Sequence, residues 1–321
     1  MHAQLDGDRI RQHTRSVVAI LVAVIATSLV AQERPVRRIQ IPALITALAF
    51  APDGATLVAW DPAGWSRWDA ASGRQREREA VIAKACERAS VLPRSEDGRV
   101  VAAQCRDRLL FFEVATGRTL GDRRLEEKQT AAVYTASLSG TATALVMAGA
   151  TDTVHLGNLA GGTGTAVKVG SEIEQLTLDS DGSRLTVGSW RGVEIRDAPA
   201  GTLRRSLEGQ ASHAMTADGR TVAVVGGPGA RLFDGETGER LRDLEGRVSY
   251  LRFSPDGRLL VGWTNQRVIV WDATTGAQRL VLTSDEFSGA AVSPDGRQLA
   301  TLSLQRRGEG TSSMIAVWRL P

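Results

Sequence analysis

An Asp-Gly turn recurs along the chain at nearly even intervals, and no other feature limits the possible folds so strongly. The copies are Asp53-Gly54, Asp97-Gly98, Asp181-Gly182, Asp218-Gly219, Asp256-Gly257 and Asp295-Gly296, with Ser139-Gly140 as a weaker copy in the gap. Their glycines are separated by 44, 42, 42, 37, 38 and 39 residues. Two spacings hold inside that period. The turn Asp lies 15 residues before the end of the third apolar run in five copies: Asp53 to Trp68, Asp97 to Phe112, Asp181 to Arg196, Asp218 to Phe233 and Asp256 to Trp271. The acidic residue that follows lies four before a second turn glycine: Asp69 to Gly73, Glu113 to Gly117, Asp197 to Gly201, Asp234 to Gly238 and Asp272 to Gly276. Chance does not hold two spacings together over five copies.

The local chemistry turns these spacings into strands. In Ser254-Pro255-Asp256-Gly257 the proline presets φ for a type I turn, and the glycine takes the left-handed position of a three-residue hairpin loop. The same logic covers Ser293-Pro294-Asp295-Gly296 and Ala51-Pro52-Asp53-Gly54. Each copy therefore opens with a hairpin, strands a and b. The third run is strand c, whose closing aromatic can pack between neighbouring sheets, and a basic segment after the second turn is strand d. A period of about 40 residues with four strands is that of a propeller blade. Seven copies predict an all-β, seven-bladed β-propeller over residues 36–321. Met314–Trp318 reads as strand c of the last blade, and Val36–Ile41 sits where a strand d should, so it is expected to complete that blade and close the ring.

Trp68-Asp69 and Trp271-Asp272, with the Ser-Pro-Asp-Gly and Asp-x-x-Thr-Gly turns, resemble the WD-repeat β-propeller family over roughly residues 36–321. The family's Gly-His pair before strand a is absent, with His213 the one His near such a place, and the Trp-Asp pair is replaced elsewhere by Phe112-Glu113, Arg196-Asp197, Phe233-Asp234 and Trp318-Arg319. The resemblance implies a divergent member. It also implies that the b-to-c loops share one face with the d-to-a connections, and that this face receives partners.

Upstream of the repeats, a polar start with Arg9, Arg11 and Arg15 leads into an apolar run from Val17 to Val30, followed by Ala31. The run is short for a spanning helix, and its pattern suggests a secretory signal over residues 1–31 and a linker over 32–35. An uncleaved membrane anchor and a buried apolar segment are the alternatives. The expected location is periplasmic or secreted.

Catalytic and metal motifs are scarce. His155 and His213 are the histidines beyond the leader, and no His-Glu-x-x-His, Cys-x-x-Cys or Gly-x-Ser-x-Gly pattern occurs. The Asp residues are used by turns, so no metal or cofactor is expected. The glycine clusters at 161–164 and 226–229 lie between strands rather than before a helix, which makes them loops and not phosphate cradles. A net charge of +3 gives no argument for nucleic acid.

Other features carry two readings each. Cys86 and Cys105 fall on the first hairpin of the second copy. Pairing Arg94 with Arg99 across its turn puts Arg88 opposite Cys105 and Cys86 one diagonal away, close to the limit for a disulfide. They are either bridged or two ordinary small residues. The d segments carry Arg74, Arg76 and Arg78, Arg118, Arg123 and Arg124, Arg204 and Arg205, and Arg240 and Arg242. These form a polyanion-binding rim or, the stronger reading, charged edges that block stray strand pairing. The b-to-c loops hold Trp60, Asp61, Trp65, Arg106, Asp107, Trp190, Arg191, Trp263, Asn265 and Arg267, rich in the residue types of binding hot spots. Trp60 and Trp263 share one repeat position, which also fits inter-blade packing. In the last copy Asp295 to Trp318 spans 23 residues, eight more than elsewhere, which predicts an enlarged loop from Leu304 to Ser313 with Arg306 and Arg307.

The function expected from these features is that of an exported, monomeric, non-enzymatic scaffold binding another protein or peptide. The rivals are a propeller enzyme of hydrolase, lactonase or quinone-dependent dehydrogenase type, and a ligand sensor using the central channel.

Overall fold

In the computed structural model the repeats form a seven-bladed β-propeller, which is the unit Pro35–Pro321. The structure describes residues 34–85, 90–91, 100–105, 107–113, 116–125, 135–140, 143–148, 152–158, 164–284, 286–307 and 310–321. The leader and the Asp97-Gly98 turn lie outside them. Each blade is a four-stranded antiparallel sheet, with strands a to d in chain order in the first six. Blade 6 shows the pattern: a is Tyr250–Phe253, b is Leu259–Trp263, c is Arg267–Asp272 and d is Gln278–Thr283. A short helix, Val81–Ala85, follows strand d of blade 1.

The glycines of the described Asp-Gly turns and of the c-to-d turns named above occupy the left-handed region, as their sequence positions require. φ is 66° at Gly54 and 72° at Gly257 in a-to-b turns, and 72° at Gly73 and 77° at Gly276 in c-to-d turns. The preceding Asp fixes the turn: Asp256 Oδ1 accepts from the Ser254 hydroxyl (2.6 Å) and from the Arg258 amide (3.1 Å).

The core is a ring of inter-blade seams. Strand b of blade 1, Thr56–Asp61, is buried at every position because its sheet is covered on both faces. Closing aromatics of strand c fill the seam to the preceding blade: Trp68 packs with Ile39, Ile41 and Ile315, Phe112 with Trp60 and Val58, and Trp271 with Ala223 and Leu232. Blade 4 has Arg196 at this position. It is buried there because its guanidinium donates to Glu194 (2.7 Å) and to the Gly201 carbonyl (2.6 Å).

The ring closes as the sequence predicts. Arg37–Ile41 pairs antiparallel with Gly310–Arg319, from Arg37 opposite Val317 to Ile41 opposite Ser313. Ile39 and Ile41 are buried in the seam between blades 7 and 1.

Two expectations need correction. The eight extra residues of the last blade do not make a loop: strands b (Gln298–Arg307) and c (Gly310–Arg319) run on as a two-stranded ribbon, pairing Leu304 with Ser313 and Arg307 with Gly310. The sequence Leu304-Gln305 and Ser312-Ser313 contains no Gly or Pro to stop the ladder. In blade 2, Ser90 pairs with Gln104 and Val91 with Ala103, one position away from the register predicted from an Arg94–Arg99 pair. Among the described residues strand a is Ser90–Val91, and two residues are too few for side-chain alternation to fix a register.

Candidate functional site

The b-to-c turns and d-to-a connections meet on one face of the ring, and the predicted partner-binding residues divide there into two groups. One group is internal. Trp60 and Trp65 are 1% and 2% exposed, and Trp60 stacks at a tilt against Phe112 with centroids 5.7 Å apart. Trp60 ends strand b and Trp65 begins strand c (Gly64–Asp69), so both rings point into the seam with blade 2. Trp263 is also buried, sharing a cluster with Phe287 of blade 7. These three tryptophans are packing residues rather than contacts for a partner, because a fully covered ring has no surface left to offer. Asp61 is buried as well. Its Oδ1 accepts from the Ala63 and Gly64 amides (2.8 and 3.1 Å), and its Oδ2 from Arg78 (2.8 Å), so it builds the b-to-c turn.

The second group faces solvent. Trp190 is 67% exposed at the tip of the blade 4 turn, with the Arg191 guanidinium 5.1 Å from its ring centroid. The stacking holds the long Arg side chain in place, so less rotamer freedom is left to lose on binding. Ser189 Oγ, buried at the end of strand b, accepts from the Arg191 amide at 3.3 Å and sets the turn. On blade 6, Asn265 and Arg267 are exposed beside a turn closed by Thr264, whose amide donates to Arg267 O at 2.9 Å. Asp107 is half-buried and pairs with Arg124 at 3.2 Å. Arg106 lies outside the described residues. Arg306 and Arg307 lie on the ribbon of blade 7, opposite Thr311 and Gly310.

Sequence reasoning missed Tyr250 and Leu44. Tyr250, the first residue of strand a in blade 6, is 57% exposed and stacks on Trp263 with centroids 5.6 Å apart and an interplanar angle of 26°. Leu44, in the connection entering blade 1, is 42% exposed. Neither carries a sequence signal, since exposure at the end of an inner strand depends on how the neighbouring connection runs.

Arginines on the d strands are mostly neutralised within the blades. Arg76 pairs with Asp69, Arg204 with Asp197 and Arg279 with Asp272, each across strands c and d at a separation of seven residues. Arg205 and Arg242 donate to the Thr237 and Thr274 carbonyls of the next blade at 2.7 and 2.8 Å. The basic rim is therefore a set of ties within and between blades.

Cys105 is disulfide-bonded and buried; Cys86, its predicted partner, lies outside the described residues. His213 is fully buried, with Nδ1 2.8 Å from Ala211 O and no partner for Nε2 among the described residues. Burial lowers its pKa to about 4. No helix among the described residues is long and apolar enough to cross a membrane.

Seven four-stranded antiparallel blades closed by an N-terminal strand define the chain as a β-propeller. Residues 238–272 match the family model for the WD domain, G-beta repeat, and the chain is a WD-repeat-like propeller. The matched segment runs from the c-to-d turn of blade 5 through strand c of blade 6, so the sequence repeat straddles a seam. No curated protein matches the chain.

Proposed function

We propose that this protein is an exported, non-catalytic scaffold that holds another protein or a peptide on the face built by its b-to-c turns and d-to-a connections. Propellers of the WD-repeat kind generally bind other proteins, and the observation that carries the reading to this face is the Trp190–Arg191 pair. An aromatic ring two-thirds exposed is costly to leave in water, and pre-stacking by Arg191 prepares it as an anchor. Tyr250, Asn265 and Arg267 add a second contact area on blade 6. In this reading the extracytoplasmic location follows from the leader, and the disulfide state of Cys105 supports it, because structural disulfides persist in oxidising compartments. The proposed bridge is Cys86–Cys105, and no cofactor or metal takes part.

A photo-crosslinking amino acid placed at Trp190, with another at the exposed d-strand residue Leu241 as the control, tests the face. Adducts from an extracytoplasmic fraction at position 190 and not at 241, lost on Arg191→Glu, are expected. Equal adducts at both positions would overturn the choice of face. N-terminal sequencing of the mature protein checks export: a start near residue 32 is expected, and an intact Met1 would contradict cleavage.

A further inference from the structure

The a-to-b turns of blades 5, 6 and 7 share one hydrogen-bond pattern. A hydroxyl at the first turn position accepts from the amide five residues on: Thr216 from Thr221 (3.0 Å), Ser254 from Leu259 (2.9 Å) and Ser293 from Gln298 (2.9 Å). The same hydroxyl donates to the turn Asp: Thr216 to Asp218 (2.7 Å), Ser254 to Asp256 (2.6 Å) and Ser293 to Asp295 (2.5 Å). Blade 4 has the same backbone turn. The Asp179 amide donates to Arg184 O (3.0 Å) and the Gly182 amide to Asp179 O (3.2 Å), as in the other three. The first position, however, is a carboxyl. Asp179 Oδ1 accepts from the Arg184 amide (2.9 Å), and Asp181 Oδ1 accepts from the Ser183 amide (2.8 Å), so both keep the poses of their counterparts. Where a hydroxyl faces the turn Asp elsewhere, a carboxyl faces it here, and the Ser183 hydroxyl donates to Asp179 Oδ2 (2.9 Å).

We propose that Asp179 and Asp181 share one proton across this turn, and that the seam between blades 4 and 5 is firm while the proton is held and loosens when it leaves. Two ionised carboxylates cannot stand in that geometry without repulsion, and Asp179 is buried. Burial raises the Asp179 pKa against the Arg184 amide and Ser183 hydroxyl that donate to it, while hydrogen bonding from Ser183 holds Asp181 below the usual range.

Arg184 Nη1 is engaged with Gly219 O (2.6 Å), and its other amino group pairs with Glu236, which also takes Arg204 (3.1 Å). From blade 5, Asp218 pairs with Arg220 (3.7 Å), and Asp234 accepts from the Glu236 and Thr237 amides. From blade 3 the turn offers Ser139 and Ala144, which bear no charge. The seam runs directly past the pair: the Ser180 amide donates to Ala217 O (2.7 Å), and a Cβ on Gly219 would lie 3.0 Å from Asp179 Oδ2.

The sign follows from linkage. An acid whose folded pKa exceeds its unfolded value contributes stability at low pH that is lost as pH rises through the folded value. Carboxyl carbon NMR of aspartate-labelled full-length protein reads the pair, with the two resonances assigned by their loss in Asp179→Asn and Asp181→Asn. The Asp179 resonance is expected to titrate above 3.8, the ordinary value, and to move down in Asp181→Asn. Asp179→Asn keeps the acceptor and donor without the charge, and Asp179→Ser rebuilds the hydroxyl turn. Both are expected to melt several degrees above the parent at pH 8, with the advantage gone at pH 4. A midpoint at or below 3.8, or a melting difference independent of pH, overturns the proposal.

Discussion

At the residue scale, single buried side chains set measurable limits. His213 keeps its ring neutral because burial removes water and no acceptor faces Nε2 among the described residues. An unfolded His takes a proton near pH 6.5 and the folded one only near 4, so the unfolded state binds more protons between those values. Stability is therefore expected to fall as pH drops from 6.5 towards 4, by up to about 3 kcal/mol from this residue. Urea midpoints at pH 7 and pH 4.5 check this; the same drop in His213→Gln would remove His213 as the cause. Trp271 makes a different case. It is fully buried, and its indole N–H donates to Glu245 O of the preceding blade at 3.1 Å. Trp271→Ala is expected to cost about 3–5 kcal/mol and Trp271→Phe clearly less, in denaturant titrations.

At the element scale, the c-to-d turns show how blades fit. Gly201 has φ of 69°, and a Cβ there would lie 2.2 Å from Val167 Cγ2 on strand d of blade 3. Gly54 has a similar φ of 66°, but its nearest neighbour would be Pro294 Cδ at 3.9 Å. Both substitutions by Ala carry the left-handed cost of roughly 1–2 kcal/mol. Only Gly201→Ala adds a collision across a seam, so it is expected to destabilise at least twice as much as Gly54→Ala. Equal losses would mean that the blades yield without resistance. The ribbon of blade 7 belongs to this scale too. Its outer edge is covered by Arg37–Ile41 only as far as Ser313, because Pro42 cannot continue the ladder as a donor.

At the scale of the whole molecule, closure of the ring holds the blades together. Arg37–Ile41 covers an edge that would otherwise present unpaired backbone groups along strand c of the last blade. Ile39→Asp with Ile41→Asp puts two carboxylates into the seam between blades 7 and 1, where both isoleucines are buried. The double variant is expected to lose cooperative melting and to form higher-order species in size-exclusion chromatography. A monomer with the parent's melting transition would show that the ring holds without its clasp.

The residues themselves determined the number of blades, the hairpin and left-handed glycine at each described Asp-Gly, and the strand that closes the ring. These follow from turn chemistry and from periods of two and of about 40, which are local and repeat. Surface and interior were settled only when the blades packed. Trp60 and Trp190 both end up beside b-to-c turns and look alike as letters, yet one is sealed in a seam and the other stands in solvent. The difference lies in their places in the repeat: Trp60 is within strand b, whose side chains enter the seam, and Trp190 is in the turn beyond Ser189. In the same way the paired carboxyls of blade 4 read as one more turn in the chain. Only the shared pose of four turns sets a carboxyl where a hydroxyl stands in the others.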